Sequence, residues 1–192
     1  MKDFWGYSLD TPWFFTNFSF LGILGVFLMI YALLIDKPLI KKIFLILFSL
    51  YFYYKSSGPY LIIFILMIVI DFNVALLIEK IQKRILKKIL LVFSIALSLS
   101  FLLYFKYAGF FAINYNMLFD GKMLIPKLFL PIGISFYTFQ SISYIVDVYN
   151  KQIESTKKFI DYMFYMTFFP HLVAGPIVRA RDFISQINLP IN

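Results

Sequence analysis

The 192-residue sequence contains no cysteine and only one histidine, His171. Without cysteine there is no disulfide framework, no thiolate metal site and no cysteine nucleophile. One histidine also excludes a multi-histidine metal centre, so we predict neither a metal nor a bound cofactor. Charged residues make up only 15% of the chain, whereas a soluble domain has about 25%. Together with 61% hydrophobic residues, this scarcity predicts an integral membrane protein whose first partner is the lipid bilayer.

The net charge of +8 comes from short basic clusters between apolar runs. Nucleic-acid binding needs a basic face on a soluble scaffold, so this arrangement predicts no nucleic-acid partner. Alternating the apolar runs across a membrane places residues 36–42, 79–88 and 150–158 on one side, and these segments hold eleven of the 18 lysines and arginines. Because cytoplasmic loops are enriched in positive residues, the N-terminus is predicted to lie outside.

The apolar runs predict an all-α polytopic protein with about six transmembrane or re-entrant helices. We place these helices at residues 14–35, 43–54, 60–78, 89–105, 128–148 and 159–178. The mixed stretch 106–127 is expected to lie along a membrane face. No internal repeat or linker interrupts the pattern, so residues 1–192 are predicted to form a single integral membrane domain.

Residues 129–149, FLPIGISFYTFQSISYIVDVY, are unusually polar for a membrane helix. On a helix, Tyr137, Gln140, Ser141 and Tyr144 share one face at spacings of three and four residues. That face either lines a polar cavity or channel, or it hydrogen-bonds neighbouring helices. Spacing alone leaves both interpretations open.

Residues 168–187, FFPHLVAGPIVRARDFISQI, contain two helix-breaking prolines, Pro170 and Pro176. His171 beside the break is a candidate proton acceptor because its side chain titrates near neutral pH, and the alternative is a structural or interfacial role. Arg179 is a candidate ligand for a phosphate or carboxylate, or it anchors a helix end at the lipid headgroups.

Three carboxylates deserve separate interpretations because of their positions. Asp71 lies inside an apolar run, where an ionisable residue indicates a functional site by default, although Asn73 nearby also fits an interfacial position. Asp147 and Asp161 flank the basic segment 150–158, and we expect them to pair with its lysines or to lie in water.

The segment FLPIGISFYTFQSISYIVDVY followed by MTFFPHLVAGPIVRARDFISQI strongly resembles the membrane-bound O-acyltransferases, in particular the bacterial alginate O-acetyltransferase branch. The resemblance covers residues 129–187. It implies an enzyme of the bacterial cytoplasmic (inner) membrane, with a ring of helices around a channel. Such an enzyme takes an acetyl group from acetyl-CoA or another acyl thioester and delivers it to a hydroxyl of an exported polysaccharide, with acetylation partner proteins.

The resemblance also implies what this chain lacks. The signature histidine of the family lies in a segment downstream of the LVAGPI motif, beyond Asn192, and His171 occupies a variable position of the FFPxLVAGPI pattern. We therefore expect the N-terminal portion of an acyltransferase, inactive alone and completed by a C-terminal half. The alternative is a non-catalytic membrane scaffold or a transporter fragment.

Overall fold

The computed structural model describes residues 18–34, 37–119, 121–125, 128–173 and 178–187. These residues form helices, turns and loops, with no strand among them. The eight helices in this part of the chain are α1 (Phe18–Leu33), α2 (Pro38–Ser57), α3 (Tyr60–Lys80), α4 (Arg84–Phe119), α5 (Ile134–Tyr149), α6 (Phe159–Thr167), α7 (Phe169–Val173) and α8 (Ala180–Ile187).

Helix ends follow proline and glycine positions in the sequence. Helix α2 begins at Pro38. Proline is tolerated there because the first N–H groups of a helix have no intrahelical acceptor, so its lack of an N–H breaks no hydrogen bond. Gly58 closes the same helix with φ +56° and donates its N–H to the Tyr54 carbonyl at 2.7 Å. Gly133, with φ +72°, directly precedes α5. Both glycines adopt a backbone conformation that L side chains rarely adopt.

Among the described residues, two helices, α3 and α4, are long and apolar enough to cross a membrane. The prediction that α4 ends near residue 105 is wrong, because the helix continues through the mixed stretch to Phe119. The helix tolerates Asn114 because its side-chain amide donates to the Phe110 carbonyl one turn earlier, at 2.7 Å. At 1.5 Å per residue, its 36 residues extend about 54 Å, more than the roughly 30 Å of hydrocarbon.

The last two predicted helices are shorter than their apolar runs. Helix α5 begins at Ile134, after the turn that contains Pro131 and Gly133. The run from 159 onward is bent as predicted, since α6 ends at Thr167 and α7 starts at Phe169. Residues 174–177, which include Pro176, lie outside the described residues, as do residues 14–17 and 35 of the first predicted helix.

The main core lies where α3, α5 and α6 meet. Phe64, Ile68, Tyr144, Ile145 and Tyr162 are fully buried there. A second cluster of phenylalanines from α1 and α2 packs against the ring of Phe169, and its buried members are Phe20, Phe27, Phe48 and Phe52. The outward faces of α1 and α4 expose large apolar side chains, as a lipid-facing surface requires.

Two ion pairs bring the three basic segments together at one end of the bundle. Lys42 Nζ lies 2.5 Å from Asp161 Oδ1, and Lys157 pairs with Glu79. The sequence predicted that Asp161 pairs with a lysine of the adjacent segment 150–158 or lies in water. The structure instead pairs it with Lys42 of α2. Asp147 is buried rather than exposed to water, and its Oδ2 has no hydrogen-bond partner among the described residues.

Candidate functional site at the junction of two motifs

The two polar segments meet through their backbones. A Cβ placed on Gly133 would lie 2.1 Å from the carbonyl oxygen of Leu172, which is closer than any real side chain can approach. Together with the positive φ, this contact explains why glycine stands at this position of PIGISF. The turn before α5 therefore lies directly against the FFPHLV segment.

Two serines of α2 satisfy backbone donors at this junction. Ser57 Oγ accepts the N–H of Ile132 at 2.9 Å, and Ser49 Oγ accepts the N–H of Phe169 at 3.3 Å. Both donors lie at helix starts or turns, where no intrahelical partner is available. Since unpaired backbone groups are costly inside a membrane, these serines allow both segments to break there.

Gln140 ties α5 to α6. Its side-chain amide donates to the carbonyl of Tyr165 at 2.9 Å, and Gln140 is only 4% exposed. The hydroxyl of Tyr165 in turn donates to the carbonyl of Val178 at 3.0 Å. Through these two hydrogen bonds, Tyr165 connects Gln140 of the first polar segment to Val178 of the second.

Ser141 belongs to a buried polar cluster centred on Asp71. The hydroxyl of Ser141 donates to Asp71 Oδ2, and the hydroxyl of Ser94 donates to Oδ1 at 2.8 Å. All three side chains are at most 2% exposed. Asn73 is exposed, but Asp71 lies inside the bundle, and its cluster joins α3, α4 and α5.

Tyr137 packs in an aromatic group rather than at an open surface. Its ring centre lies 4.6 Å from that of Phe64 and 6.4 Å from that of Tyr53, and the residue is 1% exposed. The predicted face of α5 is therefore buried against neighbouring helices. Beside the turn, a cavity of about 300 Å³ is lined by residues 130–136.

The side chains of His171 and Arg179 are more exposed than this hydrogen-bonded interior. The His171 ring is half-buried and contacts Phe168 and Phe183 edge-on, with centroids 5.0 and 5.6 Å away. Its Nδ1 is buried without a hydrogen-bond partner among the described residues. Arg179 is exposed just before α8. The structure thus groups Tyr137, Gln140 and Ser141 on one buried face, whereas His171 is half-buried and Arg179 is exposed.

Several contributors to the site gave no signal in the sequence. Ser49, Ser57 and Ser94 look like ordinary small helix residues, and only their partners 23 to 120 residues away reveal their roles. In the described part of the chain, no group of three His, Cys, Asp or Glu residues is arranged to hold a metal ion.

The chain is similar to bacterial O-acetyltransferases. It is 33% identical to the peptidoglycan O-acetyltransferase of Helicobacter pylori, in an alignment covering 92% of this chain and 38% of that protein. It is 41% identical to the probable alginate O-acetylase AlgI of Pseudomonas aeruginosa and 40% identical to that of Azotobacter vinelandii, over 51% of this chain and 20% of each relative. These relatives are named O-acetyltransferases, and the chain resembles the membrane-bound O-acyltransferases over the part of those proteins that it spans.

The chain spans well under half the length of these O-acyltransferase relatives. No family model matches it, and no solved structure matches it. The likeness to this family therefore rests on sequence identity to named O-acetyltransferases. It agrees with the all-helical structure and with the two helices able to cross a membrane.

Proposed function

We propose that the chain forms part of a membrane O-acetyltransferase that acts on a cell-envelope or exported polysaccharide. The observation that carries this proposal is the 33% identity to a peptidoglycan O-acetyltransferase over 92% of the chain. The alginate O-acetylases favour the same reaction on another polymer. The shared chemistry is transfer of an acetyl group to a sugar hydroxyl.

The proposed reaction is an acyl transfer from a thioester, with acetyl-CoA or a carrier-bound acetyl group as donor. The hydroxyl oxygen attacks the thioester carbonyl carbon while a base takes the hydroxyl proton. The carbon–sulfur bond then breaks, and the leaving thiolate takes up that proton to give the free thiol. In this proposal Tyr137, Gln140 and Ser141, which are buried between helices, hold the helices of the channel wall in place. His171 and Arg179 are the candidate groups that reach donor or acceptor, because both retain exposed surface.

The proposed setting is the bacterial inner membrane, with the basic end in the cytoplasm and the N-terminus outside. Residues 1–192 would form a single membrane domain of about six transmembrane or re-entrant helices, within a larger ring around a channel. The two ion pairs that gather the basic segments at one end support this orientation. Along α2, the basic end at Lys42 and the motif contact at Ser57 are about 22 Å apart. The acetyl group would therefore enter at one end and leave near the junction, where acetylation partner proteins, or a C-terminal half, complete the transfer.

Deletion and complementation of the gene in its host test the function. Ester-linked acetate is released by mild alkali from isolated peptidoglycan and from exported polysaccharide, and is quantified for each polymer. We expect one polymer to lose acetate on deletion and to regain it on complementation. Unchanged acetate on every polymer would overturn the proposal in favour of a non-catalytic scaffold or a transporter.

Isolated membranes test the donor. Membranes from the complemented strain are incubated with acetyl-CoA labelled in its acetyl group, and label in the purified polymer is counted. We expect incorporation that depends on the gene. Incorporation equal to that of the deletion strain would reject acetyl-CoA as donor, and a labelled carrier-protein thioester is then the substrate to supply.

A further inference from the structure

A cleft of about 340 Å³ opens at the basic end of the bundle, where α3 turns into α4 and α5 ends. It is lined by Gln82, Arg84, Lys87, Tyr149 and Lys151. Three of these five residues are cationic, and none is a carboxylate. A cleft with this lining concentrates positive charge around a volume large enough for a small anionic group.

Two other cations at this end of the bundle are ion-paired, whereas the three cations of the cleft are not, within the described part of the chain. Lys42 pairs with Asp161, and Lys157 pairs with Glu79. Among the described residues, no carboxylate lies within ion-pair distance of the three cleft cations. Like charges held close together repel each other, so a bound anion would reduce the repulsion among the three cations of the cleft.

The first turn of α4 adds backbone donors to this charge. Arg84 and Lys87 are three residues apart and therefore share one face at the helix start. The first N–H groups of a helix have no intrahelical acceptor, and the helix dipole favours negative charge at this end. The two cationic side chains and the N–H groups of this turn would therefore both attract a negatively charged group.

Lys151 occupies a backbone position that usually belongs to glycine. Its N–H donates to the Val148 carbonyl at 3.1 Å, and the Gln152 N–H donates to the Asp147 carbonyl at 2.9 Å. This pattern is the Schellman motif, whose left-handed residue here is Lys151 with φ +58°. A lysine costs free energy at this position relative to glycine, and its side chain adds a third cation to the lining of the cleft.

We propose that this cleft binds a phosphate group. Arg84 offers paired N–H donors that match phosphate oxygens, and the two lysines add point charges. The cleft lies at adjoining ends of α3 and α4, the two helices able to cross a membrane, and hence at the depth of lipid headgroups. The phosphate belongs either to an anionic phospholipid or to a soluble phosphorylated molecule.

Binding isotherms of the purified full chain in detergent test this proposal. The probes are short-chain phosphatidylglycerol, short-chain phosphatidylcholine and inorganic pyrophosphate. We expect phosphatidylglycerol or pyrophosphate to bind at least about tenfold more tightly than phosphatidylcholine. Preference for phosphatidylglycerol alone assigns the site to lipid, and tight pyrophosphate binding assigns it to a soluble phosphate.

Three variants separate a built site from diffuse attraction. Arg84→Gln and Lys151→Gly should each weaken binding about tenfold or more, and Lys88→Gln, an exposed residue of the same helix end outside the cleft, should weaken it less than twofold. Lys151→Gly should unfold at the same temperature as the wild type or higher, because glycine suits the left-handed position. Equal weakening by Lys88→Gln and Arg84→Gln, or no preference for either anionic probe, would refute the site.

Discussion

The contact between Gly133 and Leu172 makes the substitution Gly133→Ala the sharpest test of the motif junction. An alanine at φ +72° is strained by about 1–2 kcal/mol. Its Cβ would also lie 2.1 Å from the Leu172 carbonyl oxygen, so the backbone of α7 or of the turn must move. Overpacking of this kind costs about 1–3 kcal/mol. The two effects together predict a loss of about 2–5 kcal/mol in the free energy of unfolding.

Titration with SDS in mixed micelles, followed by circular dichroism, measures this loss. The matched control is Gly109→Ala in α4, where no heavy atom lies within 4 Å of the added Cβ. That control should be neutral or stabilising by up to about 1 kcal/mol, because alanine is the better helix former. A Gly133→Ala protein within about 0.5 kcal/mol of the wild type would show that the two motifs do not touch as described.

Three further changes test the buried polar contacts, each by the same SDS titration. Asp71→Ala leaves the hydroxyls of Ser94 and Ser141 without their acceptor and should lower the free energy of unfolding by about 2–4 kcal/mol. Asp71→Asn keeps an acceptor and should lower it less. Equal losses for the two variants would contradict the cluster. Lys42→Gln should cost about 1–3 kcal/mol because it leaves the buried Asp161 carboxylate unpaired, and adding Asp161→Asn should restore part of that loss. Gln140→Leu should lower the free energy of unfolding by about 1 kcal/mol, because the hydrogen bond to Tyr165 is lost. If this variant lowers polymer acetate far more than another variant of equal stability does, Gln140 takes part in the transfer itself.

Sequence patterns predicted those features of the structure that depend on residues close together in the chain. The spacing of Tyr137, Gln140 and Ser141 correctly identified one face of α5, because helical periodicity depends only on neighbouring residues. Proline content likewise placed the bend between α6 and α7. Composition predicted the end of α4 wrongly. Its polar residues suggested a break, but the side-chain amide of Asn114 donates a hydrogen bond within the same helix.

Partners distant in the sequence were beyond the reach of such patterns. Asp71 draws its donors from two other helices, 23 and 70 residues away, and Lys42 meets Asp161 across 119 residues. No periodicity encodes which helices become neighbours. The sequence could mark Asp71 as unusual because of its apolar surroundings, but the identity of its partners depends on the packing of α3, α4 and α5.

Helix α2 determines how the basic end and the junction are related in space. It carries Lys42 at one end, and further along it Ser49 and Ser57 accept backbone N–H groups from both motif segments. A rigid helix fixes the separation of these contacts, so both segments are held at a set depth relative to the paired basic loops. Loss of either serine hydroxyl would therefore shift the position of a motif without removing a reactive group. If the chain takes part in the proposed acyl transfer, where small misplacements lower the rate strongly, we expect α2 to contribute by positioning rather than by a reactive group.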